Sequence, residues 1–188
     1  MKKLRIVLMM VLCLAFASTV AFAASAKNAV DQVMSMHGQI VAINDDMITI
    51  KDKNSDQTVA LIVRWNTEIL NGKNGKDVDL NRLHVGDELT AYYSSISTRS
   101  LPPQSRAYAL VLGNGEHDGI YTQVGEVTKV KNGVKILNSN GDMLVTIPTN
   151  VEDDAKELKA GDKVLVWYDF VAMSMPGQAT ATKAVILD

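Results

Sequence analysis

The chain contains an internal repeat, and this duplication limits its fold more than any other feature of the sequence. Residues 100–107 (SLPPQSRA) and 174–181 (SMPGQATA) share the pattern Ser-apolar-Pro-x-Gln-small-x-Ala. Upstream of each copy, residues 85–89 (VGDEL) match residues 160–164 (AGDKV) at nearly the same spacing. Because several motifs recur in the same order, we predict two homologous units.

The first unit carries about a dozen more residues than the second. Residues 38–41 (GQIV) match 125–128 (GEVT), and their wider spacing places the surplus around residues 71–76 (NGKNGK). Gly, Asn and Lys dominate that stretch, which is typical of a loop. We therefore expect a loop insertion in the first unit.

Each unit is predicted to contain five strands and a short helix between strands three and four. In the second unit, the pairs Asn132-Gly133 and Asn140-Gly141 favour hairpin turns. Acidic residues at 152–154 favour a helix N-terminus. The predicted strands are 38–43, 47–51, 58–64, 88–94 and 106–112, then 125–130, 134–137, 143–147, 163–170 and 180–187. The predicted helices are 80–83 and 151–159.

This order of elements predicts an all-β protein made of two tandem five-stranded OB-like barrels. The composition, 47% hydrophobic and 21% charged, is that of a folded protein and not of a disordered one. Closure into barrels also removes free strand edges in a domain without disulfides. The alternative is one β-sandwich containing both units, since strand count alone does not fix closure.

The N-terminus predicts a secretory signal peptide. Lys2, Lys3 and Arg5 precede a long apolar run, and small residues follow it, with cleavage expected after Ala23 or Ala26. An uncleaved membrane anchor is the alternative. Cleavage removes three positive charges and takes the net charge from −2 to −5. It also removes the single cysteine, so the mature chain contains no disulfide.

The predicted organisation follows from the repeat and the signal peptide. We expect an exported protein, periplasmic or extracellular, with no membrane contact after cleavage. Its segments are a signal peptide at 1–26, an N-terminal linker at 27–37, a first OB-like repeat at 38–113, a polar linker at 114–124 and a second OB-like repeat at 125–188.

The repeated motifs resemble those of a known group of domains. Gly38-Gln39-Ile40 and Gly125-Glu126-Val127 begin the units, and residues 83–87 (LHVGD) and 158–162 (LKAGD) precede the fourth strand of each. In these motifs each unit resembles the small OB-like domains of unknown function that occur in exported bacterial proteins. The chain as a whole resembles a tandem pair of such domains. The resemblance implies no assigned activity.

The sequence predicts no catalytic residues, no metal ligands and no cofactor. His37, His84 and His117 are scattered, and no nucleophile-elbow motif accompanies them. Residues 52–56 begin like a calcium loop, but Gln57 and Val63 stand where such a loop needs Gly and Glu. A polar turn is the expected structure there.

Four side chains in the repeated loops are the predicted binding residues: Ser100, Gln104, Ser174 and Gln178. They lie between strands four and five, a connection that OB folds use for ligands. Their hydroxyls and amides offer donors and acceptors for sugars or peptide backbone. The alternative is turn chemistry, in which Pro sets the turn and Gln binds nearby backbone.

Aromatic residues are few, and single-stranded nucleic-acid binders usually carry them beside basic residues. Trp65 follows Arg64, and Tyr92 and Tyr93 lie on a central predicted strand. Core packing or a place at the barrel rim is the favoured interpretation of these aromatic residues, Trp65 included. The acidic net charge argues against a nucleic-acid partner, and we expect none.

These observations predict an exported, non-catalytic binding or adaptor module of the bacterial cell envelope. Envelope polysaccharide, a peptide or a protein are the expected classes of partner, and the oligomeric state is not predicted. An extracytoplasmic enzyme or enzyme inhibitor is the alternative. Single-stranded nucleic-acid binding is a weaker alternative.

Overall fold

A computed structural model describes residues 31–73, 75–116 and 118–187. The predicted signal peptide, the first four residues of the predicted N-terminal linker and His117 lie outside the described residues. Asp31–Asp188 form one compact unit. In the part of the chain that the structure describes, no helix is long and apolar enough to cross a membrane.

The first repeat forms a six-stranded sheet that closes on itself. Its strands are β1 (Val33–Asn44), β2 (Met47–Asp52), β3 (Thr58–Ile62), β4 (Glu68–Asn71), β5 (Glu88–Ser97) and β6 (Gln104–Leu112). Antiparallel pairing joins β3 to β2, β2 to β1, β1 to β5 and β5 to β6. Parallel pairing of β3 with β6 completes the circuit. The result is the predicted closed five-stranded barrel, and β4 is a sixth strand that pairs in parallel with the later part of β6.

The second repeat forms a seven-stranded sheet in the order β11-β12-β9-β8-β7-β10-β13. Its strands are β7 (Ile120–Val130), β8 (Gly133–Asn138), β9 (Met143–Pro148), β10 (Lys163–Trp167), β11 (Val171–Ala172), β12 (Gly177–Thr180) and β13 (Lys183–Leu187). The predicted fifth strand, 180–187, is found mainly as β13, and only its first residue belongs to the separate strand β12. Thr182 lies at the break, and its N–H donates to the carbonyl oxygen of Trp167 at 2.7 Å. Among the described residues, each sheet contains strands of one repeat only.

The predicted helices are short 3₁₀ turns, at Leu80–Arg82 and Asp153–Glu157, and no α-helix occurs in the described ranges. The first turn lies between β4 and β5, because β4 follows the predicted third strand, and the second turn lies between β9 and β10. Asp79 and Glu152 cap the turns by accepting hydrogen bonds from backbone N–H groups. Segments of three to five residues cannot offset the cost of nucleating an α-helix, so the tighter 3₁₀ form is found.

The hydrogen bonds align the first strands of the two repeats differently from the sequence match. The N–H of Ile40 donates to the carbonyl of Asp87, and the N–H of Val124 donates to the carbonyl of Asp162, both at 2.9 Å. Ile40 therefore corresponds to Val124, three residues earlier than the motif comparison indicates. β7 accordingly begins at Ile120, within the segment predicted as the second linker.

Both faces of β6 are buried, which explains its nearly continuous apolar sequence. Ala107 and Leu110 face the interior of the first barrel. Tyr108, Ala109 and Val111 pack instead in a cluster that includes Leu165 and Leu187 of the second repeat. The two repeats thus share an apolar interface in addition to their own cores.

A polar network also joins the repeats at Tyr108. Its hydroxyl donates to Asp31, and the Lys163 ammonium of the second repeat lies 4.1 Å from the centre of its ring. Ser94 Oγ donates to the other carboxylate oxygen of Asp31 at 2.6 Å. Burial pushes the pKa of Asp31 up, but the bonds from Ser94 and Tyr108 outweigh it and lower that pKa below its ordinary value.

Candidate ligand-binding groove

The two predicted binding serines hold the turns of the repeated loops. Ser100 Oγ donates to the carbonyl of Pro102 at 2.7 Å, and Ser174 Oγ donates to the carbonyl of Pro176 at 2.6 Å. The same side chain therefore makes the same local bond in both repeats. These hydroxyls fix loop geometry, as the turn-chemistry alternative expects.

The two glutamines of the loops have different surroundings. Gln104 begins β6, lies opposite Ala60 in the ladder and is half-buried. Gln178 lies on β12 opposite Leu144 and is exposed, with its amide nitrogen 3.3 Å from Ser174 Oγ. Gln178 is the more accessible of the pair and is the one that faces a groove.

This groove is open and has a volume of about 420 Å³. We call it the β12 groove. Alternation along β12 buries Ala179 and turns Gln178 and Thr180 outward, and Thr180 lies opposite Thr146 of the parallel strand β9. Its polar and aromatic lining consists of Thr146, Asp169, Phe170, Gln178, Thr180 and Thr182.

The loop after β10 supplies two of the β12 groove residues that sequence reasoning missed. The sequence predicts strand through Phe170, but β10 ends at Trp167, and the chain then leaves the ladder. Asp169 and Phe170 both become exposed, and Phe170 keeps 74% of its surface accessible. The groove thus presents three hydroxyls, an amide, a carboxylate and an aromatic face, but no Lys or Arg.

The tips of the repeated loops carry exposed apolar side chains at matching positions. Leu101 is 97% exposed and Met175 is 96% exposed. Each stands between the serine and the proline of its motif, so the turn bonds described above hold both outward. Met175 belongs to the loop that leads into β12.

Trp65 lies at the rim of the first barrel and not in its core. The residue is 92% exposed, in the loop between β3 and β4 next to the exposed Arg64. Core packing, one of the two interpretations favoured from sequence, is therefore wrong for this residue.

The structure brings His37 to the linker between the repeats. His37 Nδ1 lies 3.0 Å from Thr90 Oγ1, and the Thr90 hydroxyl donates to Asp118. Tyr92 donates its hydroxyl to the carbonyl of Gly119 at 3.1 Å. These bonds tie the linker to the first barrel, a role that the scattered positions of the histidines did not reveal.

Within residues 31–73, 75–116 and 118–187, no three His, Cys, Asp or Glu side chains converge as a metal site would require. His84 lies apart from the groove, with its Nδ1 3.9 Å from Asp87 Oδ2.

Comparison with known proteins adds a family match for the second repeat. Residues 124–188 match the model of a family described as a protein of unknown function, DUF3221. The match covers about a third of the chain and agrees with the predicted resemblance to domains of unknown function. The family match does not bear on the predicted export. No curated protein matches the chain.

Two solved structures are similar to this chain at low identity. One is described as "drosophila Unr CSD456", with 10% identity and a TM-score of 0.27, covering 82% of this chain and 63% of that one. The other is a multidomain protein with nucleic acid binding domains from Streptococcus pneumoniae TIGR4, with 18% identity and a TM-score of 0.24, covering 79% of this chain and 45% of that one. This chain thus spans less than two thirds of either.

The sequence led us to expect no nucleic-acid partner. We withdraw that expectation, because the Streptococcus pneumoniae structure is described as having nucleic acid binding domains. At these TM-scores the two structures carry no inference about the ligand of this chain.

Proposed function

We propose that this chain is a non-catalytic binding module that holds a polysaccharide in the β12 groove. The observation that carries the proposal is the placement of Gln178, Asp169 and Phe170 on one open groove. Gln178 belongs to the repeated motif, whereas Asp169 and Phe170 come from the neighbouring loop. A ligand in the groove would contact all three.

The chemistry of the lining suits a hydroxylated, uncharged ligand. The Asp carboxylate accepts hydrogen bonds, the Gln amide accepts and donates them, and the threonine hydroxyls do both. An exposed phenylalanine offers a flat apolar surface on which the C–H face of a sugar ring can pack. The groove volume lies within the range of small-ligand sites.

Charge favours a neutral polymer over an anionic one in this groove. Asp169 is the only ionisable residue among those that line it. An anionic ligand would meet an unpaired carboxylate there, and no cation in the lining would offset the repulsion.

We further infer that the second repeat is a second copy of the barrel, with its last strand interrupted. Parallel pairing of β12 with β9 repeats the closing pair β6–β3, and β13 pairs with β10 as β6 pairs with β5. Export to the cell envelope remains part of the proposal. The intact mass of the protein recovered from its native cells tests cleavage after Ala23 or Ala26.

The binding experiment uses isothermal titration with soluble β-1,4-linked oligosaccharides of glucose and of N-acetylglucosamine. We expect binding by the wild type, and a loss of about tenfold or more in affinity for Phe170→Ala and Gln178→Ala. Both residues are exposed, so the variants should stay within about 0.5 kcal/mol of wild-type stability.

Gln104→Ala is the matched control, because Gln104 holds the corresponding motif position in the first repeat and does not line the β12 groove. It should bind as the wild type does. The proposal is wrong if none of the oligosaccharides binds, or if Phe170→Ala and Gln178→Ala bind as tightly as the wild type.

A second candidate function, single-stranded nucleic-acid binding, is favoured by Trp65. An exposed tryptophan beside an exposed Arg64 is the type of platform on which bases stack. Oligothymidylate should then bind with an affinity that falls with salt, and Trp65→Ala should weaken it. Equal affinity of wild type and Trp65→Ala for oligothymidylate would exclude this candidate.

A further inference from the structure

The β12 groove is the first of three neighbouring depressions. A second depression, of about 550 Å³, shares Asp169 and Thr182 with it and extends towards the first repeat. A third, of about 580 Å³, shares Lys73, Glu116 and Asp118 with the second. The three depressions therefore lie side by side from the second repeat onto the first, and we call their combined surface the trough.

The floor of the trough at the joint is built by contacts between the repeats. The Lys183 ammonium lies 5.7 Å from the centre of the Trp167 ring, and a Cβ built on Gly119 would stand 2.7 Å from atoms of the Trp167 side chain. Gly75 of the first repeat packs against the Lys183 side chain so closely that a Cβ there would overlap it. Trp167 and Lys183 are thus held in place from both repeats.

The insertion predicted in the first repeat forms a wall of this trough. Gly72 and Lys73 line both the second and the third depression, and Lys73 is exposed. Exposed Glu116 of the linker also lines both depressions. The surplus residues of the first repeat therefore extend the polar surface that begins at Gln178.

We infer that the ligand is a linear polysaccharide that runs along the whole trough, from the β12 groove across the joint to the insertion loop. This inference rests on the proposed function, and it adds the length of the ligand and the contribution of the first repeat. Hydroxyl groups of the polymer accept hydrogen bonds from the Lys73 ammonium and donate to the Glu116 carboxylate. A short oligosaccharide fills the β12 groove alone.

The consequence is that affinity depends on chain length. Binding of the first sugar units already costs the ligand its translational and rotational freedom. Each further unit that reaches the joint therefore adds contacts at a smaller entropic cost. Affinity should rise with length until the trough is filled and then remain constant.

The experiment measures Kd for β-1,4-linked oligosaccharides of increasing length against the full chain and three variants. Lys73→Ala and Glu116→Ala change the far end of the trough. Lys131→Ala is the control, since Lys131 is an exposed lysine in the turn between β7 and β8 and lines none of the three depressions.

For the wild type and Lys131→Ala we expect about tenfold tighter binding of the longest oligosaccharides than of the shortest that bind. Lys73→Ala and Glu116→Ala should lose several-fold in affinity for the long ligands and bind the short ones as the wild type does. If short ligands bind but length brings no gain, or if both far-end variants bind long ligands normally, the inference is wrong while the proposed function stands. If no oligosaccharide of any length binds, the proposed function itself fails.

Discussion

Gly86 and Gly161 occupy the same place in the two repeats. Their φ angles are +101° and +97°, a left-handed conformation that favours glycine. Gly86 donates its N–H to the carbonyl of Ile40 at 2.9 Å, and Gly161 donates to the carbonyl of Val124 at 2.8 Å. Each glycine therefore anchors the start of the fourth predicted strand to the first strand of its own repeat.

The aspartates that follow these glycines should contribute equally to stability. Asp87 Oδ2 accepts a hydrogen bond from the N–H of His84 at 2.8 Å, and Asp162 Oδ2 accepts one from the N–H of Lys159 at 2.9 Å. We expect Asp87→Ala and Asp162→Ala each to lower the free energy of unfolding by about 1 kcal/mol in chemical denaturation.

Asp56→Ala is the control for this pair, because Asp56 forms only a solvent-exposed ion pair with Lys51, and its loss should change stability by less than about 0.5 kcal/mol. A difference of more than about 1 kcal/mol between Asp87→Ala and Asp162→Ala would contradict structural equivalence of the two corners.

The strands with strong apolar periodicity and clear turns could be predicted from the sequence. β2, β8 and β9 begin and end within one residue of their expected bounds. β4 was missed because it is only four residues long, and its position depends on parallel pairing with β6, far along the chain. β1 and β7 begin earlier than expected because β5 and β10 offer pairing partners for the residues before them.

Only part of the candidate site could be predicted. The repeat identified Gln178, because its motif recurs in the chain. Asp169 and Phe170 are absent from that pattern, and their exposure depends on the end of β10 at Trp167, which the apolar sequence does not indicate. The trough was not predictable, since its walls come from the insertion, the linker and β13, which meet only through tertiary packing.

Replacement of Gly119, at the joint between the repeats, should lower the stability of the fold. It has a φ of +74°, and an added Cβ would stand 2.7 Å from the Trp167 ring. Gly141 has a φ of +75° but open space around it, so Gly141→Ala carries the backbone strain alone. We expect Gly141→Ala to cost about 1–2 kcal/mol of unfolding free energy and Gly119→Ala about 1–3 kcal/mol more, because Trp167 must move.

Thermal and chemical denaturation of both variants provide the measurement. Equal stabilities for Gly119→Ala and Gly141→Ala would mean that Trp167 does not press against the linker.

Asp31 should stabilise the fold only while it is ionised. Its pKa is lowered in the folded state, so its contribution is present above the ordinary value near 4 and is lost as the pH falls through the lowered folded value. Asp31→Asn should therefore cost about 1–2 kcal/mol at neutral pH, from weakened bonds to Ser94 and Tyr108.

That difference between wild type and Asp31→Asn should shrink as the pH falls below about 4. Urea denaturation at several pH values measures it, with Asp46→Asn in the exposed β1–β2 turn as the control. A constant difference across the acid range would show that the charge of Asp31 does not contribute.

Tyr108 and Tyr92 should ionise far later than free tyrosine. Burial, followed by the hydrogen bond to Asp31, raises the pKa of Tyr108 to about 12, and burial, followed by the charge of Asp118, raises the pKa of Tyr92 to about 12. Because folding favours the neutral phenols, their contribution to stability is complete below pH 10 and is lost as the pH rises towards 12.

Ultraviolet absorption should thus show tyrosinate forming in two stages, with circular dichroism on the same samples marking where the fold persists. Tyr108→Phe and Tyr92→Phe should each remove absorbance from the late stage only. Loss of absorbance from the early stage in Tyr108→Phe would mean that its phenol is not held against Asp31 in solution.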